Sequence, residues 1–189
     1  MEDNYQVFLK GQFLIAMPGM TDPNFFQTVT CISEHSEEGA VGIIINRAHP
    51  SIFANNIFDE LEIKYVPAVK SIPIYIGGPV HINEIFVLHG PPFQWESCLM
   101  VNQFLALSNS KDIVEAIAMG NGPESFIVSL GCAGWDKDQL EFEIKENVWL
   151  TCPVSEKIIF EIPVETRWEE AVKKIGINPA LLSDTAGHA

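Results

Sequence analysis

The sequence predicts an α+β fold with a mixed or antiparallel sheet, and three observations carry that prediction. Short apolar runs of strand length recur along the chain, each closed by turn residues. Segments with helical spacing lie among them without the regular βαβ rhythm of a doubly wound fold. Several of the strand-like runs also follow one another closely, as strands of antiparallel sheets do.

In chain order the strand-like runs are Phe13–Met17, Gln27–Ile32, Val41–Asn46, Ile74–Ile76, Ile85–His89, Phe126–Leu130 and Val148–Cys152. The first predicted helix lies in SIFANNIFDEL, where Phe53, Ile57, Phe58 and Leu61 recur at helical spacing. The second opens at Ser110 as N-cap, runs through Ile113, Ala116 and Ile117, and stops at Gly120. A third is expected in DKDQLEFEIKEN, with Asp136 as N-cap and Gln139 three residues on. The last spans PVETRWEEAVKKIG, from Pro163 to Gly176, with Lys173 and Lys174 near its negative end. The Pro/Gly clusters at Gly77–Pro79 and Gly90–Pro92 read as loops, too short for linkers, so residues 1–189 are expected to form a single domain.

The composition narrows the function. At 189 residues, with 47% hydrophobic and 19% charged side chains, the chain can bury a full core. Acids number 25 against 11 lysines and arginines, a formal charge of −14. That balance disfavours direct nucleic-acid contact, which needs clustered cations. No apolar run is long enough to span a membrane, and no secretory signal is visible at the start. The four cysteines, Cys31, Cys98, Cys132 and Cys152, are widely spaced without a C-x-x-C pair, consistent with free thiols in a cytoplasmic protein. The five histidines show no metal-ligand spacing, and no metal site or cofactor is expected.

Several stretches invite a functional reading. SLGCAGWDKDQ places Cys132 after a strand and before a helix, the context of a nucleophile elbow. Leu130 stands where that pattern needs its first glycine, and Asp136, Asp138 and Glu141 would oppose a thiolate. Packing is therefore the favoured role for Cys132, ahead of ligand contact or catalysis. The Gly-Gly-Pro turn in YIGGPVHINEIFVLHG could bring backbone N–H groups to an anion, but no lysine follows it as in a phosphate loop. Arg47 could clamp an anion, although pairing with one of the many acids is the plainer reading. His35 is expected at an exposed hairpin turn, and MPGMTDPNFFQTV as a turn that could also wall a cleft.

Taken in collinear order, GQFLIAMPGMTDPNFFQTVTCISEHSEEGAVGIIINR, IGGPV, FVLH, LGCAGWDKDQLEFEI, NVWL and LSDTAGHA closely resemble the YqgE/AlgH family of bacterial proteins over nearly the whole chain. The resemblance implies a bifurcated, largely antiparallel β-sheet curled into a pseudo-barrel with flanking helices. Some members of the family carry a transcriptional-regulator label tied to exopolysaccharide synthesis. No catalytic residue or cofactor comes with the resemblance. In the family pattern a glycine commonly stands where this chain has Asp138, and the position of Cys132 is often aromatic, so thiol chemistry would not be a shared activity.

The matching residues Asn46, Arg47, Gly77, Gly78, Gly131, Gly134, Trp135 and Gln139, with Cys132 among them, are expected to form a common pocket for a small ligand or a protein partner. An accessory or regulatory protein is the leading expectation. The alternative is a hydrolase- or transferase-like enzyme using Cys132 with His35, His89 or His188.

Overall fold

The computed structural model describes residues 8–183. Among them ten strands join in one sheet: β1 (Gln12–Ala16), β2 (Val29–Ser36), β3 (Gly39–Ile44), β4 (Ala48–Phe53), β5 (Pro73–Ile76), β6 (Val80–His89), β7 (Cys98–Met100), β8 (Ala106–Ser108), β9 (Phe126–Asp136) and β10 (Trp149–Pro153). The helices are α1 (Ala54–Glu60), α2 (Lys111–Ala118), α3 (Gln139–Lys145), α4 (Glu156–Phe160), α5 (Arg167–Lys174) and α6 (Pro179–Ser183).

The main path of the sheet runs β10-β1-β2-β3-β9-β6-β8-β7, every neighbouring pair antiparallel. The fork lies at β9. Its first half pairs with β6 on one side and with β5, in parallel, on the other. Its second half, Ala133–Asp136, pairs with β3. Strand β4 then hangs from β5. A mixed, largely antiparallel sheet that splits and curls is thus the frame of the molecule.

The central strands are apolar on both faces because both faces are covered. Along β9, Ile127 enters the core beneath α4 and α5, whereas Val128 enters a second core with α1 and α2. Leu88 and Val87 divide in the same way along β6, following the twofold alternation of a strand. Fully buried residues such as Phe13, Ile15, Ile43 and Leu88 each contribute about 1.5–3 kcal/mol of transfer free energy. A third core gathers Leu14, Ile32, Trp135, Leu140 and Trp149 around α3.

The structure corrects the local reading in several places. Strand β9 does not end at Leu130. It continues to Asp136 because the β2–β3 hairpin presents Gly39–Gly42 as a ladder for it. Cys132 therefore lies within a strand and not at a strand-to-helix turn. Asp138, not Asp136, is the N-cap of α3, and it sits at φ 62°. That left-handed conformation is one that glycine adopts more readily than aspartate. Gln139 still reaches back, accepting the Asp136 N–H at 3.0 Å.

His35 is buried as well. It does sit beside the turn, one residue before the Ser36–Gly39 pair that closes the hairpin, but its pairing with Ala40 and its side chain's burial overturn the expected exposure. Helix α5 starts at Arg167, preceded by a single 3-10 turn at Val164–Thr166. Strands β7 and β8 and helices α4 and α6 carried no sequence signal, and residues 51–53, read as the start of the first helix, instead end β4, with α1 beginning at Ala54. The silent elements are three to five residues long, and β4 is largely exposed and contains Pro50.

Candidate functional site

A cleft of about 560 Å³ opens where the end of β3 meets α5 and α6. Its floor begins with Asn46 and Arg47, just after β3. Asn46 spends its amide on the fold: Oδ1 accepts the Val29 N–H at 2.8 Å and Nδ2 donates to the Gln27 carbonyl at 2.8 Å. These bonds hold the turn Phe26–Gln27, where Gln27 adopts φ 52°, against the end of β3. Arg47 donates from Nη2 to the Phe26 carbonyl at 2.9 Å. Phe26, Gln27, Trp168, Glu169 and Lys173 complete much of the wall.

Arginine is scarce here. The chain holds two, Arg47 and Arg167, amid 25 acids. Among the described residues neither makes a salt bridge, and both donate to backbone carbonyls instead. Burial lowers the pKa of Arg47 below the ordinary arginine value while Asp22 pulls it back up, and a guanidinium keeps its charge under such a shift. Arg167 lies beneath the cleft. It donates from Nε to the Ile162 carbonyl at 2.9 Å and from Nη1 to the Ile45 carbonyl, one residue before Asn46. Its neighbour Trp168 donates from Nε1 to the Ala16 carbonyl at 2.9 Å. Two consecutive side chains of α5 thus clamp the helix to the sheet and set the position of Asn46–Arg47.

The expected glycines lie elsewhere, and the topology explains them. Strands β5 and β6 flank β9 on opposite sides, yet only Gly77, Gly78 and Pro79 connect them. The connection must step across the backbone of β9, and it does so at Gly131–Cys132. A Cβ on Gly77 would stand 2.2 Å from the Gly131 carbonyl oxygen, and one on Gly78, at φ 154°, 2.2 Å from the Cys132 carbonyl carbon. Gly131, at φ 73°, has no more room, with the Gly78 oxygen 2.6 Å from the place of its Cβ. The glycines are needed because backbone meets backbone. No anion cradle forms from them, since the Gly77 N–H already donates to the Leu130 carbonyl at 2.9 Å.

Cys132 sits under this crossing, 3% exposed. Burial, reinforced by Glu84, pushes its thiol up to about 11. The acid that matters comes from β6 and not from the Asp136–Glu141 run. Neither described candidate histidine is poised to activate the thiol. His35 accepts the Leu9 N–H at Nδ1 (2.9 Å), so Nε2 carries the proton that it gives to Glu141 at 2.8 Å. His89 donates from Nδ1 to the Gly90 carbonyl at 2.6 Å and accepts the Ser108 hydroxyl at Nε2 (2.9 Å). Burial lowers its pKa, favouring that neutral state. His188 lies outside the described residues.

Trp135 and Gln139 belong to a third place. Glu143 on α3 accepts three hydrogen bonds: from Trp135 Nε1 at 2.9 Å, from Trp149 Nε1 at 2.7 Å and from Gln139 Nε2 at 2.8 Å. Phe25 packs against both indoles, with ring centroids 5.9 and 5.5 Å away. The expected site residues therefore fall into a cleft (Asn46, Arg47), a backbone crossing (Gly77, Gly78, Gly131 and Cys132, with Gly134 against Val80) and an indole–carboxylate cluster (Trp135, Gln139). One cavity does not hold them all.

Trp168 and Arg167 received no functional reading from the sequence, and Lys173 was read only as a cation near the negative end of its helix. The scarcity of arginine was the available signal. Among the described residues no group of three or more His, Cys, Asp or Glu side chains could hold a metal, and no helix is long and apolar enough to cross a membrane.

Comparison with known proteins closes the identification. A UPF0301 protein of Desulforapulum autotrophicum is 52% identical over 181 residues, covering 96% of each chain. The UPF0301 protein AlgH of Pseudomonas aeruginosa is 44% identical over 191 residues, covering 100% of both. The solution structure of that AlgH protein superposes with a TM-score of 0.79 over 100% of both chains. Protein DIP2367 of Corynebacterium diphtheriae, 21% identical with a TM-score of 0.72, shares the fold over 100% of this chain and 95% of its own. Residues 13–180 match the AlgH-like family, and the chain belongs to it.

Proposed function

We propose that this protein is a single-domain, cytoplasmic accessory or regulatory protein that binds a small anionic ligand in the Asn46–Arg47 cleft. The observation that carries the reading is the state of Arg47. Its guanidinium is half-buried at the floor of a cleft of ligand size and is tied to a carbonyl; among the described residues no carboxylate pairs with it at salt-bridge distance, although Asp22 acts on it electrostatically. An arginine held in this way keeps N–H donors for a carboxylate or phosphate. Lys173 at the wall is already paired with Glu170 at 2.7 Å and Glu165 and Glu169 line the same wall, so Arg47 is the cation left for a ligand, and Phe26, 47% exposed, offers an apolar face. A protein partner presenting an acidic side chain would use the same chemistry. Direct DNA binding is disfavoured by the −14 charge, so any regulatory effect would pass through a ligand or a partner.

The test is a thermal-shift screen of nucleotides, sugar phosphates and dicarboxylates against the wild type and Arg47→Ala. A ligand that stabilises the wild type should lose at least tenfold in affinity on the variant, on the order of the 1.5–3 kcal/mol assigned to a hydrogen bond to a charged group. If every anion that binds does so equally well to Arg47→Ala, the reading is wrong.

A further inference from the structure

A second, smaller cavity of about 140 Å³ lies beside the fork of the sheet, between β5, β9 and α4. Ile127 and Ile159, which share one core, form buried apolar walls and Phe160 stands partly exposed beside them. The polar exceptions are Tyr75 and Arg167. Arg167 is 5% exposed and its Cζ stands 5.5 Å from the centroid of the Tyr75 ring.

A buried guanidinium costs several kcal/mol in desolvation, and a buried charge is ordinarily matched by an anion. Among the described residues Arg167 has no salt bridge; two carbonyls and the side chain of Tyr75, which also hydrogen-bonds to it, surround it. Glu165, the acid that acts on it electrostatically, is solvent-exposed. A cavity whose only full charge is a cation without a salt-bridge partner, beside the apolar side chains of Ile127, Ile159 and Phe160, is complementary to a small organic anion. Its volume is close to the roughly 150 Å³ that accommodates benzene in an engineered protein cavity.

We propose that this cavity binds a small carboxylic acid with an apolar body of about six carbons. The carboxylate accepts from the Arg167 guanidinium, and the body lies against Ile127, Ile159 and Phe160. The site is separate from the Arg47 cleft and does not rest on that reading.

Calorimetric titration of the full chain at constant ionic strength tests it, with sodium hexanoate and sodium benzoate as probes. The controls are 1-hexanol and benzamide, which share the bodies without the charge, and sodium chloride, which brings an anion without a body. Saturable binding of an acid, at least tenfold tighter than its neutral counterpart, is expected, with NMR shifts at the Ile127 and Ile159 methyls. Phe160→Trp, which narrows the cavity, should weaken the acid at least tenfold, and Arg47→Ala should leave it unchanged. The methyl shifts of the wild type decide the matter should the Trp variant fold poorly. Equal binding of acid and neutral analogue would overturn the proposal, because the charge would then play no part. Loss of binding in Arg47→Ala, methyl shifts confined elsewhere, or no saturable binding of either acid would overturn it equally.

Discussion

The end of β3 and the start of the Gly77–Pro79 connection touch: the Ile76 N–H donates to the Arg47 carbonyl at 2.8 Å and the Ile44 N–H to the Gly77 carbonyl at 2.8 Å. On one side of that contact lies a cleft floored by polar side chains and a half-buried arginine. On the other, backbone crosses backbone with no room for a Cβ. Both regions come from family-like motifs, and only the first leaves space for another molecule. Glycine-rich motifs mark close approach as readily as they mark ligand sites, and the discriminating feature is whether the backbone N–H groups are already engaged.

Substitutions should separate the two regions, with the largest effect at the crossing. Gly78→Ala places a methyl group 2.2 Å from the Cys132 carbonyl carbon, with rigid backbone on both sides. Urea unfolding should show a loss of about 3–5 kcal/mol. A loss below 1 kcal/mol would mean that the connection has slack, and the contrast with the cleft would weaken.

An intermediate effect is expected in the indole–carboxylate cluster. Glu143→Leu removes the acceptor for both indole N–H groups and for Gln139. Unsatisfied buried donors cost about 1–3 kcal/mol, and tryptophan fluorescence should shift with them. An unchanged unfolding midpoint would show that the two indoles find other partners.

The smallest effect at neutral pH concerns Cys132. Its thiol ionises near 11 in the folded chain against 9.0 for an ordinary cysteine. The folded state therefore holds the proton more tightly than the unfolded one. The stability that this contributes is intact below 9.0 and lost as pH rises from there toward 11. Iodoacetamide should label Cys132 of the native protein only slowly at pH 8, with a rate that climbs toward pH 11. Rapid labelling at pH 8 with a midpoint at or below 9 would restore the case for a reactive thiol.

Legibility in the sequence followed signal strength. The runs FLIAM, TVTCI, GIII and FIVSL announced central strands because residues on both faces are buried, and SKDIVEAIAMG announced α2 through its spacing. Cys98–Met100 and Ala106–Ser108 stayed silent because three residues show no period. Among the site residues, Asn46 and Arg47 were found through the motif that ends β3. The glycines were found too, but grouped with them, because a linear motif does not say which segments cross. Arg167 was hidden: in TRWEE it looks like any charged residue of an amphipathic helix.

By itself the sequence determined the α+β class, the family, the apolar central strands and the dearth of cations. Each of these follows from local pattern and composition. The tertiary structure decided that β9 runs on to Asp136, that the glycines serve a chain crossing and that Arg47 faces open space while Arg167 is buried. Those outcomes depend on which distant segments meet, since a ladder partner, a clash or an absent counter-charge exists only once the sheet has closed around it.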